Sequence, residues 1–289
     1  MNVLLHQVLS GLATGGIYAS MALALVMIYQ ATHLVNFAQG ELAMFSTYIA
    51  WSLIQAGLPY WLAFFATVAI AFALGALIER IIVRPVEQAS VLSVVIVFIG
   101  LLVILNSLAG WIFSYTIKPF PSPFPTTPLF GNSYVGPHEL GAICVTLVVL
   151  ALVFGFFRFT PLGLAMRAAA HNPESSRLVG VRVGWMLALG WGLASAIGAV
   201  AGIMVAPIVF LEPNMMAGIL LYSFAAALLG GIDSPGGAVL GGFIVGVLEN
   251  LVGAVLGTDL KLTVALVLIV GVLVIRPWGL FGTAHVSRV

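Results

Sequence analysis

From residue 8 onward the chain is a succession of apolar runs, each near the 20 or so residues a helix needs to cross a bilayer. They read as residues 8–29, 36–55, 60–82, 90–114, 138–157, 185–207, 236–256 and 262–275, with a shorter apolar segment at 219–230. This pattern leaves little choice of fold. In hydrocarbon every backbone N–H and C=O must be satisfied internally, and a helix does this within a single segment. The sequence therefore predicts an all-α polytopic integral membrane protein. Residues 1–289 form one transmembrane domain with eight or nine crossings, including broken or half helices. Composition agrees: the chain is 62% hydrophobic and 7% charged, against about 25% charged in a soluble domain. MNVLLHQ has no basic n-region, so the first run is expected to stay as a membrane helix.

One long stretch departs from the pattern. Residues 157–184, FRFTPLGLAMRAAAHNPESSRLVGVRVG, contain Arg158, Arg167, Arg177 and Arg182. Thr160 is an N-cap with Pro161 at the first helical position. The helix it starts, 161–171, carries an apolar stripe at Leu162, Met166 and Ala169. Asn172 caps a second helix, 173–179, with Pro173 first and Glu174 in the opening turn, where the helix dipole favours negative charge. Gly180 is a stop. A capped basic pair on one face of a membrane protein suits recognition or the transmission of force. The same arginines would also serve an ordinary connector that anchors topology.

Several polar residues stand within apolar surroundings. Asn36, Gln39 and Glu41 lie in NFAQGELAMF, Asp233 and Ser234 in GGIDSPGGAVLGG, and Glu249 and Asn250 in the run at 236–256. Such residues usually face a bundle interior or an aqueous path. Each also has a plainer use: Asn36 or Asp233 as a helix cap, Glu249 as a partner for another subunit. Doubled glycines with Pro235 are expected to break a helix at membrane depth, which is tolerated only within protein or beside a water-filled cavity. The two segments faintly echo one another, as broken helices do in duplicated transporters. Gly11, Gly15 and Ala19 form a small-residue stripe for close helix packing. Pro119, Pro121, Pro123, Pro125, Pro128 and Pro137 make residues 115–137 an extended loop, either a docking surface or a stiff spacer.

Basic residues orient the chain. If residue 80 is cytoplasmic, alternation puts Arg80, Arg84, Arg158, Arg167, Arg177, Arg182, Arg276 and Arg288 inside, leaving Lys118 and Lys261 outside. The polar pair and the C-terminus are then cytoplasmic, and the proline loop and N-terminus face out. Net charge is +1, which offers no nucleic-acid footprint. Cys144 is the lone cysteine, and His6, His33, His138, His171 and His285 are scattered, so neither a disulfide framework nor a metal constellation is indicated. No GxxxxGK[ST] loop, HExxH or nucleophile elbow occurs. Asp233 and Asp259, at opposite ends of a run, do not suit a paired-aspartate protease.

TPLGLAMRAAAHNPESSRLVGV resembles the cytoplasmic coupling loop of Liv-type ABC importer permeases, which serve branched-chain amino acids. GGIYASMALALVMIYQATHLVNFAQGE is similar to that family's opening block, and GGIDSPGGAVLGG and RPWGLFG (Arg276–Gly282) to its two C-terminal blocks. Four blocks in order span nearly the whole chain, and its length resembles the smaller, H-type subunit. The resemblance implies a permease of the inner (plasma) membrane with no ATPase site and no cofactor of its own. ATP would be bound by two separate ABC ATPase subunits. A paralogous permease and an external solute-binding protein would complete the importer. Thr160, Gly163, Arg167, Ala168, Glu174 and Gly180 would belong to the surface that meets the ATPase. Asn36, Gln39, Glu41, Asp233, Ser234 and Glu249 are candidates for the translocation path. The chain departs from the family's pattern at Gln39, often His, at Ser176, often Ala, and at Asp233, often Gly. Related permeases move urea or short amides. An ion-coupled secondary transporter is the rival from another class.

Overall fold

A computed structural model describes residues 2–32, 35–87, 89–125 and 136–282. Pro128, His33, His285 and Arg288 lie outside the described residues. The described residues form eleven α-helices: α1 (Asn2–Thr32), α2 (Gln39–Gln55), α3 (Tyr60–Ile78), α4 (Val91–Phe113), α5 (Pro137–Phe159), α6 (Pro161–His171), α7 (Pro173–Leu178), α8 (Val183–Val209), α9 (Met215–Gly230), α10 (Pro235–Val255) and α11 (Lys261–Ile275). Among the described residues, seven helical segments are long and apolar enough to cross a membrane: His6–Gln30, Tyr60–Val86, Val91–Phe113, Pro137–Phe159, Val183–Val209, Pro235–Val255 and Thr258–Ile275. The shorter α2 and α9, with 17 and 16 residues, reach about 25 Å at a rise of ~1.5 Å per residue.

The long helices differ sharply in enclosure. The most apolar window of α1 is 89% buried and that of α8 is 78% buried, whereas the window ending in α11 is 6% buried. Thus α1 and α8 form the centre, while α4, α5 and α11 present wide apolar surfaces outward. The small-residue stripe on α1 allows this arrangement. A Cβ on Gly11 would lie 2.7 Å from Val247 Cα, and one on Gly15 would lie 2.9 Å from Phe243 Cα. On the facing helix, Gly242 and Gly246 rest directly on the backbone of Ala19 and Gly15. Such spacing gains dispersion contacts that any larger side chain would prevent.

The glycine-rich segment interrupts the helices at residues 231–234, between α9 and α10, and α10 then runs unbroken through Gly236, Gly237, Gly241 and Gly242. Gly231, at φ +107°, makes the turn. The later glycines serve close packing, with Gly237 against Gly230 and Gly241 against the Ala226 carbonyl.

Two features tie the ends of the bundle. At one end α3 continues through a π-helical turn at Glu79–Val83 and a 3-10 turn at Arg84–Val86. Arg84 donates to both oxygens of the buried Glu79 carboxylate and to the carbonyl oxygen of Gly184. Arg80 stands over the Trp185 ring. At the other end Lys118 and Leu211 exchange backbone hydrogen bonds of 2.9 and 3.0 Å, and the Lys118 ammonium lies 5.1 Å from the Trp51 ring centroid. Thus the start of the proline-rich segment is pinned to the turn between α8 and α9.

Candidate functional site

The basic stretch folds as its local chemistry requires. Thr160 Oγ1 accepts the N–H of Gly163 at 3.0 Å, opening α6. Asn172 Oδ1 accepts the N–H of Ser175 at 2.9 Å, opening α7. Proline begins each helix, where its missing N–H costs nothing. The second helix stops at Leu178, and Gly180, at φ +87°, turns the chain away. The buried stripe of α6 differs slightly from the expected one. Met166 and Ala169 are buried, but Leu162 is exposed and Gly163 faces inward. Gly163 is needed there, because a Cβ would lie 2.7 Å from Phe157 Cα. Arg167, Ala168 and Glu174 are exposed. Leu164, Leu178 and Val179 add exposed apolar side chains. A cleft lined by Met27, Gln30, Met166, Arg167 and Leu187 runs between α6 and the ends of α1 and α8.

The six polar candidates do not converge on one site; they fall in three places. Asn36, Gln39 and Glu41 sit together at the start of α2, all buried. Asn36 Oδ1 accepts the N–H of Ala38, so this residue fixes the entry to α2. Gln39 Nε2 donates to the Ala194 carbonyl of α8 at 3.0 Å, while its Oε1 has no hydrogen-bond partner among the described residues. Glu41 faces a side chain that sequence reading passed over. Asn106 of α4 sends its amide group toward Glu41 Oε2 at 3.4 Å, the Pro213 carbonyl at 3.0 Å and Asn214 Oδ1 at 3.2 Å. An amide inside the apolar run of 90–114 was the available signal.

Asp233 and Ser234 occupy the turn before α10. Ser234 Oγ accepts the N–H of Gly237 at 3.1 Å and caps that helix. The Asp233 carbonyl accepts from Gln30 Nε2 at 2.9 Å, which places the turn beside the cleft under α6. Glu249 is held separately. Tyr18 Oη donates to it at 2.7 Å and Lys261 Nζ at 3.1 Å, while Tyr18 stacks on Tyr222 with centroids 5.1 Å apart. Asn250 Nδ2 donates to Thr14 Oγ1 at 2.8 Å. Among the described residues no three His, Cys, Asp or Glu side chains gather to hold a metal ion.

Membrane-length helices around a polar-threaded interior, with a capped amphipathic pair at one end, define a multi-pass membrane protein of the permease class. The chain belongs to the family described as branched-chain amino acid transport system, permease component, which it matches over residues 7–274. It is 32% identical over 308 residues to the high-affinity branched-chain amino acid transport system permease protein LivH of Escherichia coli K12, covering 99% of this chain and 97% of that one. It is 32% identical over 302 residues to the corresponding protein BraD of Pseudomonas aeruginosa, covering 99% and 98%. A probable branched-chain amino acid transport permease protein LivH of Methanocaldococcus jannaschii is 27% identical over 279 residues, covering 91% and 87%.

Proposed function

We propose that this chain is a membrane-spanning subunit of an ATP-binding-cassette importer for branched-chain or related small amino acids. The observation that carries the reading is the α6–α7 pair. Two short helices capped by Thr160 and Asn172 present Leu164, Arg167, Leu178 and Val179 on one exposed end of the bundle. An apolar patch with arginines suits a protein partner better than water or lipid. ATPase subunits dock there and hydrolyse ATP within themselves, and this chain supplies no catalytic group and holds no cofactor. Their closure pushes α6 and α7, and the spans rock to open a central path alternately to each side. A second, paralogous permease completes the path, and an external solute-binding protein delivers the amino acid.

Orientation follows from charge. Arg80 and Arg84 lie against Trp185 and Gly184, next to the stretch with Arg158, Arg167, Arg177 and Arg182. This basic end belongs on the cytoplasmic side of the inner membrane, together with the C-terminus.

The test is uptake of labelled leucine by proteoliposomes that hold this chain, its neighbouring permease, the ATPases and the binding protein, without an ion gradient. Uptake that requires both ATP and binding protein supports the assignment. Movement of substrate by this chain alone on a proton or sodium gradient overturns it. ATP hydrolysis stimulated by urea or a short amide, and not by leucine, would redirect the substrate.

A further inference from the structure

The node at Glu41 has more acceptors than donors. The Asn106 amide group carries two N–H bonds, yet three oxygens converge on it: the Glu41 carboxylate, the Pro213 carbonyl and the Asn214 amide oxygen. The longest contact, 3.4 Å, is to the charged partner, so the strongest acceptor is the least well served. These oxygens come from two elements, α2 and the turn before α9, and meet on α4, whose Asn106 side chain is half-buried. Glu41 is 7% exposed and Asn214 is open, so the cluster has a buried charged floor and an accessible rim.

An acceptor-rich, anionic cluster matches a group with three N–H donors and a positive charge. Beside it lies an apolar wall. Phe113 stacks on Tyr48 with centroids 4.6 Å apart and meets Phe45 edge-on at 6.5 Å, and Phe45 is one helical turn beyond Glu41. We propose that Glu41, the Pro213 carbonyl and Asn214 form a recognition site for the α-ammonium group of the passing amino acid, on the oxygens that the Asn106 amide group meets. The proposal rests on the amino-acid importer reading and adds which substrate group is bound and where. When substrate arrives, Asn106 swings aside and the ammonium takes its three acceptors. The apolar side chain lies against Phe45 and Phe113. A single carboxylate backed by two neutral oxygens holds the charge without trapping it, as passage requires.

The experiment uses the complete complex in detergent, with Cys144, which is exposed, replaced by Ser. Asn106→Cys removes the amide group and supplies a thiol among the acceptors. Its rate of modification is compared for three methanethiosulfonates: ethylammonium, ethyl-trimethylammonium and ethylsulfonate. The primary ammonium reagent should react about tenfold faster than the anionic one, as expected for a carboxylate a few ångströms away at intermediate dielectric, and faster than the quaternary reagent, which has no N–H. Glu41→Gln should erase the preference. Equal rates for the primary and quaternary cations would reduce the site to a general negative potential and overturn ammonium recognition. Equal rates for all three reagents would overturn the site itself.

Leucine uptake by complexes with native Asn106 gives the second readout. Glu41→Gln should lower the maximal rate about tenfold, the equivalent of one lost charge-assisted contact, and Glu41→Asp should recover part of it. Full-rate uptake by Glu41→Gln overturns the proposal. If the unsubstituted complex imports no leucine while the Glu41-dependent reagent preference holds, the importer reading falls and the ammonium site stands.

Discussion

The Arg84 guanidinium donates to the carbonyl oxygen of Gly184, 2.5 Å away and 100 positions later in the chain. Its other contact is the Glu79 carboxylate at 2.7 Å. One side chain therefore joins the end of α3 to the first turn of α8, immediately after the α6–α7 pair. The π-helical turn at Glu79–Val83 is what aims it there, since a π-turn re-registers the side chains that follow. α3 is thereby tied to the segment that follows α6 and α7.

Removal of Arg84 leaves Glu79 buried without its cation. For Arg84→Ala we expect a loss of about 2 kcal/mol, below the full cost of breaking a buried pair because Arg84 is itself partly exposed. Thermal unfolding of the purified protein in detergent measures it. Glu79→Gln combined with Arg84→Ala should be more stable than Arg84→Ala alone. Equal stability would show that the pair is not coupled.

Close contact between α1 and α10 makes a sharper demand. Gly15→Leu should lower the unfolding temperature and the yield of monodisperse protein, because overpacking costs about 1–3 kcal/mol even where neighbours can yield, and here the neighbour is Phe243 backbone. Gly100→Leu is the control, since no atom lies within 4 Å of a Cβ there. Size-exclusion after a heating series separates the two. Similar behaviour would mean that the helices separate readily.

Arg167 is exposed on α6. Arg167→Glu should leave the amount of protein in the membrane unchanged while uncoupling ATP hydrolysis from transport in the assembled complex. Unchanged substrate-stimulated hydrolysis would remove α6 from the ATPase-facing surface.

Glu249 has two donors, Tyr18 and Lys261, and their effects should not add. Lys261→Met and Tyr18→Phe should each destabilise, and Glu249→Gln should relieve part of the Lys261→Met defect, with a coupling energy of about 1–3 kcal/mol. A double-mutant cycle on unfolding midpoints reads this directly. An additive result would reduce the pair to a surface contact.

Local chemistry made the α6–α7 pair legible in advance. Thr160-Pro161 and Asn172-Pro173 each hold a cap and a first-turn residue side by side, and the hydrogen bonds they predict span three positions. The Gly11–Gly15–Ala19 stripe was also legible as a packing surface, although its partner was not. The Glu41 node was hidden for the opposite reason. Its contacts join residues 65 and 107 positions apart, and Asn106 stands in a run whose hydropathy masks one amide. The segment from Gly230 to Gly242 was legible only in part, as an interruption, because glycine and proline carry two meanings. Pro235 opens a helix once Ser234 caps it, and the glycines after it answer to neighbours on α1 and α9 that no local pattern names.

The seating of Gly246 on the backbone of Gly15 has a bearing on how the protein is made. The two residues are 231 positions apart, so α1 finds its tightest neighbour only after α10 has been translated. Until then the small-residue face of α1 has no mate, and residues 33–234 must be threaded through or along the membrane while it waits. Assembly of the centre is therefore a late event, and long-range closure of this kind is slow. A ribosome that stalls anywhere before α10 leaves a helix set without its central contact, a natural substrate for membrane quality control.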